Sequence, residues 1–212
     1  MSATAVRTRS PVKAVLRFIA SVMIVSGTML IADAGITIAW QEPVSAFFAQ
    51  KEQAQLKAEL DHPPPRVFYK RPLPGDAIGE IEMPAIDKSA YIVEGTDTDD
   101  LRKGPGHYHD TPMPGDRGTV GIAGHRTTHG APFRNIDQLE KGDRIILEMP
   151  YGKFTYRVEK TQIVDPTALW VTDKVGYDRL VLSACHPLYS AAQRIIVFAR
   201  FSKRENSTVE RS

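Results

Sequence analysis

Residues 179–201 read RLVLSACHPLYSAAQRIIVFARF, two apolar runs on either side of a proline-containing segment. Short apolar runs bounded by turn-forming residues are typical of buried β-strands. The pattern therefore predicts strands over Arg179–Ala184 and Arg194–Phe201, joined by a short loop. If these strands pair as an antiparallel hairpin, Cys185 and Arg194 lie at neighbouring strand ends, where loops often carry functional side chains.

The sequence before this hairpin also has the pattern of short strands separated by turns. Phe154, Tyr156 and Val158 alternate with polar residues, which predicts a strand with one buried face. Several such strands with turn signals between them indicate a mainly β fold, either a sandwich or a barrel. The other predicted strands are Ile78–Met83, Ala90–Val93, Thr119–Ala123 and Arg144–Met149, and short helical turns are predicted near Asp97–Arg102 and Phe133–Leu139.

The composition of the 212-residue chain narrows the classes of function. Apolar residues make up 42% and charged residues 25%, which is enough to build an ordinary core. A net charge of +2 is too balanced for a protein that follows nucleic-acid phosphates. The chain has one cysteine, Cys185, so an intramolecular disulfide and a cysteine-rich zinc site are both excluded.

The N-terminus has the pattern of a membrane anchor. Residues 1–17 contain basic but no acidic side chains, and Phe18–Trp40 is predominantly apolar. About 20 apolar residues suffice for a helix to cross a bilayer, and a basic flank favours a cytoplasmic N-terminus. Two alternatives remain open, a buried core helix and a cleaved signal peptide with its cut near Ala32–Ala34. Asp33 is unfavourable in a span, although it lies in the outer half.

The hairpin also supplies the first chemical hypothesis. A cysteine thiolate beside a permanently charged arginine is a plausible pair for acyl transfer, because the guanidinium stabilises a developing oxyanion. A structural cysteine beside a surface arginine would have the same spacing. A nucleophilic cysteine also needs a base or acid. Residue chemistry does not choose among the histidines, which include His125, His129 and His186; glycines around the first two favour a loop over a helical metal site.

Three motifs in order resemble the sortases, membrane-anchored cysteine transpeptidases of Gram-positive bacteria. Ala123–Arg126 (AGHR) resembles the segment of the catalytic histidine, and Val181–Cys185 (VLSAC) resembles the strand that ends in the nucleophile. Arg194 then matches the essential arginine of the family. The segments around Leu101–Tyr108 and Gly124–Phe133 are most similar to class E sortases, which act on LAxTG-like sorting signals rather than LPxTG.

The resemblance implies a fold and a set of roles. The expected fold is a closed sortase-type β-barrel of about eight strands with short helices, preceded by a transmembrane helix and stalk. The expected catalytic residues are His125 as acid and base and Cys185 as nucleophile. Arg194 is expected to donate hydrogen bonds to the oxyanion or to the sorting signal. Ala184 departs from the family, which usually has threonine there. The residues expected to bind substrate are Tyr108, Thr127, Thr167 and Ala184, with no metal or other cofactor.

The implied reaction cleaves the Thr–Gly bond of an LAxTG- or LPxTG-like signal and transfers the protein to an amine. The expected partners are secreted surface proteins, a lipid II-like peptidoglycan precursor and the bilayer, and no nucleic acid. Alternatives are a pilus-polymerising sortase and a non-catalytic, membrane-tethered peptide-binding barrel. The predicted organisation is a cytoplasmic basic tail (1–17), a signal-anchor (18–40), a juxtamembrane helix and proline-rich linker (41–74), an extracellular catalytic barrel (75–203) and a polar tail (204–212).

Overall fold

Eight strands form one closed barrel in the computed structural model, which describes residues 11–39 and 43–206. Around the barrel the strands follow the order β1-β2-β3-β4-β7-β8-β6-β5. Closure leaves no sheet edge for pairing with other chains. The strands are β1 (Ala77–Met83), β2 (Lys88–Glu94), β3 (Gly106–His107), β4 (Thr119–Ala123), β5 (Arg144–Met149), β6 (Gly152–Val164), β7 (Arg179–His186) and β8 (Gln193–Glu205).

Most neighbouring strands are antiparallel, but β2 pairs with β3 and β4 pairs with β7 in parallel. A parallel pair needs a long crossover. A short helix lies between β2 and β3, and the strands β5 and β6 lie between β4 and β7. The helices of the chain are α1 (Pro11–Ala39), α2 (Pro43–Asp61), α3 (Pro65–Phe68) and α4 (Thr98–Lys103), with 3-10 turns at Pro84–Ile86, Ile136–Gln138 and Leu169–Thr172.

The barrel interior is filled by apolar side chains that alternate along each strand. In β7, Leu180, Leu182 and Ala184 belong to this main core, whereas Val181 belongs to a second cluster on the outer face. The second cluster also contains Val171, from the connection between β6 and β7. Because side chains alternate between the two faces of a strand, odd-numbered residues of β7 face outwards beneath this connection.

The closed β-barrel expected from the sequence is confirmed, with two differences in detail. The strand β3 was not predicted, because Gly106–His107 is too short to show alternation. The strand β8 continues to Glu205, so the tail predicted from residue 204 starts inside a strand; the rest of that tail, 207–212, lies outside the described residues.

Helix α1 is long and apolar enough to cross a membrane over Val12–Ile36. None of that window is buried inside the structure, which argues against a buried core helix. The choice between an uncleaved anchor and a cleaved signal stays a prediction. Trp40, expected at the outer interface, and most of the predicted basic tail, 1–10, lie outside the described residues.

Helix α2 packs on the barrel rather than standing apart from it. Leu56 is only 2% exposed and clusters with Ala77 of β1 and Val93 of β2. The amide of Gln53 accepts a hydrogen bond from the backbone N–H of Tyr91 (2.7 Å) and donates one to the same residue's carbonyl (3.0 Å). This pairing holds α2 against β2, so the segment before the barrel contributes to the folded unit.

Replacement of Leu56 by alanine tests this packing. Truncating a buried leucine costs about 2–5 kcal/mol of unfolding free energy, because transfer and cavity terms add. We expect a clear drop in melting temperature for Leu56→Ala in the detergent-solubilised full chain. Phe47→Ala, on an exposed position of the same helix, is the control and should melt close to wild type. Equal melting temperatures for Leu56→Ala and wild type would show that α2 does not stabilise the barrel.

Candidate active site

Three neighbouring strands meet at one edge of the barrel, where β4 and β7 end and β8 begins. In the antiparallel ladder of β7 and β8, Cys185 lies directly opposite Arg194. Side chains directly opposite each other point to the same face, and the odd register of β7 sends this pair outwards. Cys185 and Arg194 are both partly exposed, so the thiol and the guanidinium share an accessible outer surface.

The parallel ladder of β4 and β7 brings the loop of His125 to the same edge. Ala123 is the ladder partner of Ser183, two residues before Cys185. The backbone N–H of Gly124 extends this ladder by donating to the carbonyl of Ser183 (3.0 Å). His125 follows at once, so the structure places the three predicted catalytic residues on adjacent strand ends.

The His125 ring is partly buried and packs against a neighbouring histidine. It stacks on the ring of His129 at a centroid distance of 4.7 Å, and its Nε2 atom is buried with no hydrogen-bond partner among the described residues. Burial lowers the pKa of His125 below the ordinary histidine value, and the charge of His129 lowers it further. An unpaired buried ring nitrogen is costly in a resting protein, which is typical of a group that reacts with a bound molecule.

Arg194 is oriented by the loop between β7 and β8. Its Nη1 group donates to the carbonyls of Ala191 and Gln193, both at 2.9 Å. Arginine has five N–H donors in a fixed fork, and these two bonds use only one end of the fork. The loop therefore orients the guanidinium of Arg194, the ladder partner of Cys185, through one end of its fork.

Tyr108 lies over the outer face of β4. Its backbone N–H donates to the carbonyl of Gly121 (3.0 Å), and its ring occupies the space where a side chain at residue 121 would sit. A Cβ atom at Gly121 would lie 2.7 Å from the Tyr108 ring, so glycine is required for this approach. Gly121 is the ladder partner of the outward-facing Val181, which puts Tyr108 on the same face as Cys185.

A buried hydrogen-bond network supports the Tyr108 loop. The Nδ1 atom of His107 lies 2.9 Å from a Glu94 carboxylate oxygen, and both side chains are almost fully buried. On the other side of the ring, the hydroxyl of Thr111 lies 3.1 Å from Nε2, donates to the Tyr108 carbonyl and accepts from the Gly121 N–H. The role of His107 is not predicted from the sequence, because burial of a histidine in a Gly/Pro-rich loop has no local signal.

The connection between β6 and β7 covers the outer face of the site strands. Arg179, which is buried, donates from Nη2 to the carbonyls of Val171 (2.9 Å) and Asp173 (3.0 Å), and its Nε donates to the Thr119 hydroxyl. Trp170 stacks on Phe198 of β8 at 6.2 Å. These contacts fix the 3-10 turn at Leu169–Thr172 on the outer face of β7 and β8.

The other predicted substrate-binding residues have different environments. Thr127 is partly buried in the loop after His125, and Thr167 is exposed at the start of the β6–β7 connection. Ala184 is 3% exposed and packs in the main barrel core, on the opposite face from Cys185. The structure therefore corrects the expectation for Ala184, since alternation directs its side chain away from the surface that holds the thiol.

The described part of the chain shows no cluster of side chains that could hold a metal ion. Across residues 11–39 and 43–206, no three histidine, cysteine, aspartate or glutamate side chains are grouped to hold an ion. His125 and His129 face each other as stacked rings in a loop. The thiol, imidazole and guanidinium groups are the reactive side chains that β4, β7 and β8 bring to this edge of the barrel.

A family model described as a sortase domain matches residues 81–202, which include β4, β7 and most of β8. The chain belongs to the sortase family. Sortases are cysteine transpeptidases, so the expected family, fold and enzyme class are confirmed. The matched range ends inside β8, just beyond the barrel core.

Curated sortases of two classes are similar to this sortase. Sortase D of Bacillus subtilis (strain 168) is 38% identical over 155 residues, which cover 71% of this chain and 76% of the relative. Sortase SrtE1 of Streptomyces coelicolor (strain ATCC BAA-471 / A3(2) / M145) is 30% identical over 212 residues, which cover 92% of this chain and 60% of the relative. Because both class D and class E relatives match, membership of class E stays a prediction.

Solved sortase structures share the fold. Sortase E1 from Streptomyces coelicolor, solved with a tripeptide in its active site, superposes with a TM-score of 0.59 at 31% identity, over 61% of this chain and 90% of that chain. A sortase D5 transpeptidase from Clostridium perfringens superposes with a TM-score of 0.63 at 26% identity, over 74% of this chain and 99% of that chain. The match therefore covers nearly the whole of each solved chain.

Removal of the His129 charge should raise the pKa of His125. His129→Asn removes a neighbouring cation and part of the cover over the His125 ring, and both changes favour protonation of His125. Asparagine also tolerates the left-handed backbone at this position (φ 51°). The measurement is an NMR titration of ring-labelled histidine in the full chain. His62→Asn, at an exposed position, is the control, and an unchanged or lower pKa in His129→Asn would contradict the assignment of the cause.

Proposed function

We propose that this sortase cleaves the Thr–Gly bond of LAxTG- or LPxTG-like sorting signals and transfers the protein to a cell-wall precursor amine. Cys185 is the nucleophile, His125 the acid and base, and Arg194 the donor to the oxyanion or the signal. The observation that carries these roles is strand pairing, because Cys185 faces Arg194 across one ladder and the His125 loop joins the other side of the same strand.

In the first half-reaction the Cys185 thiolate attacks the threonine carbonyl of the signal. The negative charge that develops on the carbonyl oxygen is stabilised by N–H groups of Arg194. Imidazolium at His125 then gives its proton to the leaving glycine amine, the C–N bond breaks, and a thioester remains. The Nε2 atom of His125 makes no hydrogen bond within the described part of the chain, which supports this role because the nitrogen is not committed to another group.

In the second half-reaction an amine attacks the thioester, and His125 accepts the proton that the amine loses. The C–S bond breaks, and Cys185 is restored as a thiolate paired with imidazolium. Covalent catalysis of this kind divides one difficult step into two easier steps. The lowered pKa of His125 means that its imidazolium forms at lower pH than that of an ordinary histidine.

The outer surface beside the thiol is a suitable place for an extended peptide. Tyr108 and the fixed turn at Leu169–Thr172 lie on the same outer face as the thiol, and exposed apolar side chains of that turn offer contacts for an apolar signal residue. The related sortase E1 was solved with a tripeptide in its active site, which supports peptide binding at the equivalent surface. Thr127 and Thr167 remain proposed contacts.

The proposed location is the cell membrane, with the N-terminus in the cytoplasm and the catalytic barrel outside. Helix α1 supports a single-pass anchor, and the basic residues before it favour this orientation. A lipid II-like precursor is the proposed acceptor, because a membrane-anchored enzyme and a lipid-linked amine share one surface. The proposed catalytic barrel spans residues 75–203.

Peptide turnover by the full chain tests the proposed reaction. LAxTG and LPxTG peptides are incubated with the detergent-solubilised enzyme and an amine acceptor, and products and acyl-enzyme are followed by mass spectrometry. We expect a thioester adduct on wild type that hydroxylamine releases, with faster turnover of LAxTG. Cys185→Ala should give neither adduct nor product. Cleavage that survives Cys185→Ala would overturn the nucleophile assignment.

Two further pairs of variants test the other roles. Arg194→Met should lower kcat/KM by about 10²–10³-fold, the usual cost of losing one oxyanion donor, and Arg194→Lys should recover part of it. His125→Asn should lose about 10²–10⁴-fold, the contribution of general acid–base catalysis. His129→Asn should lose far less. Equal losses at His125 and His129 would reject His125 as the unique acid and base.

A further inference from the structure

Arg126 is buried directly behind the candidate active site. It follows His125 in the chain and is 3% exposed, although arginine is rarely buried unless its charge is paired. Its Nη2 group pairs with a carboxylate oxygen of Asp137 (2.9 Å), and its Nε donates to the carbonyl of Arg134 (3.3 Å). Both partners belong to the segment that follows the histidine loop.

The remaining end of the guanidinium reaches the end of β7. Its Nη1 group donates to the carbonyl of Cys185 (3.5 Å) and lies 3.1 Å from Nδ1 of His186. Arg126 thus connects the histidine loop, the Asp137 turn and the backbone of the proposed nucleophile. No other element links these segments through one side chain among the hydrogen bonds of the described residues.

The contact with His186 also fixes the state of that ring. A guanidinium has only donors, so Nδ1 of His186 must accept the hydrogen bond. The proton of the neutral His186 ring therefore sits on Nε2, and Nδ1 is not available to the thiol next to it in the chain. This separates His186 from His125, whose Nε2 has no partner.

We infer that Arg126 is a positioning residue for the sortase reaction: it anchors the histidine loop to the carbonyl of Cys185 and holds His186 as an Nε2–H tautomer. This inference rests on the proposed function. A guanidinium suits the task because its planar fork makes bonds in several fixed directions, which the point charge of lysine does not do. Its loss would free both the loop of the acid and the strand end of the nucleophile.

The functional expectation is a loss in kcat with little change in KM. Displacement of a catalytic group by about 1 Å costs about 10²-fold in rate, so Arg126→Met should lower kcat by about 10–100-fold. KM for the peptide should stay within about threefold of wild type, because Arg126 lies behind the site and not beside the bound signal. Arg126→Lys should recover part of kcat, since the positive charge for Asp137 is kept.

The matched control is Arg179→Met, at the other buried arginine that binds loop carbonyls. Arg179 fixes the β6–β7 connection, so its loss should mainly raise KM, whereas loss of Arg126 should mainly lower kcat. Asp137→Asn is a milder variant that keeps the guanidinium but weakens its anchor. If Arg126→Met does not fold, Asp137→Asn takes its place in the experiment. It should also lower kcat, by a smaller factor than Arg126→Met.

A spectroscopic readout separates positioning from general stability. In ¹⁵N spectra of ring-labelled full chain, wild-type His186 should show a protonated Nε2 and an unprotonated Nδ1. Arg126→Met should give a mixture of the two tautomers, and Arg179→Met should keep the wild-type spectrum. An unchanged His186 spectrum in Arg126→Met, or a kcat within about twofold of wild type, would overturn the inference. Failure of the proposed function itself would be seen separately, as absence of a Cys185 thioester in wild type.

Discussion

The parallel ladder between β4 and β7 determines which side chains of the site share a surface. Ala123 pairs with Ser183, and this register places the loop of His125 beside the outward-facing Cys185. A slip of one residue would turn every side chain of β7 to its other face, sending the thiol inwards and Ala184 outwards. The apolar core opposes such a slip, because Leu180 and Leu182 would lose their buried positions. Core packing therefore sets the direction of the nucleophile.

Two buried arginines stabilise loops at opposite ends of β7. Arg179 binds carbonyls of the β6–β7 connection near the start of the strand, and Arg126 binds the carbonyl of Cys185 at its end. Backbone carbonyls that face a buried guanidinium are satisfied without a regular strand or helix, so irregular loops can be held rigid there. The same low-dielectric setting makes a partial loss of these bonds costly. Buried guanidinium groups therefore fix the loops at both ends of β7, the strand that carries Cys185.

The sequence predicted much of the barrel because local patterns determine its strands. Arg144–Met149 was predicted with the bounds that β5 has, and the hairpin of β7 and β8 follows from two apolar runs. The buried states of His107 and Arg126 could not be predicted, since each results from packing between segments distant in the chain. Ala184 was expected to contact substrate because of its position in the motif. Strand alternation alone predicts the opposite, since it directs the side chain of Ala184 away from the face of Cys185.

Helix α2 extends the support of the site beyond the barrel. Its Ser45 hydroxyl accepts a hydrogen bond from the backbone N–H of His129 (3.2 Å), in the loop whose ring stacks on His125. Ala49, one turn further, is buried beside Gly130 of the same loop. Because Leu56 fixes the other end of α2 to the barrel, the helix braces the histidine loop from outside, as Arg126 does from inside. Removal of the segment before residue 65 would therefore remove one of the two supports of the proposed acid together with the packing of Leu56 on the barrel.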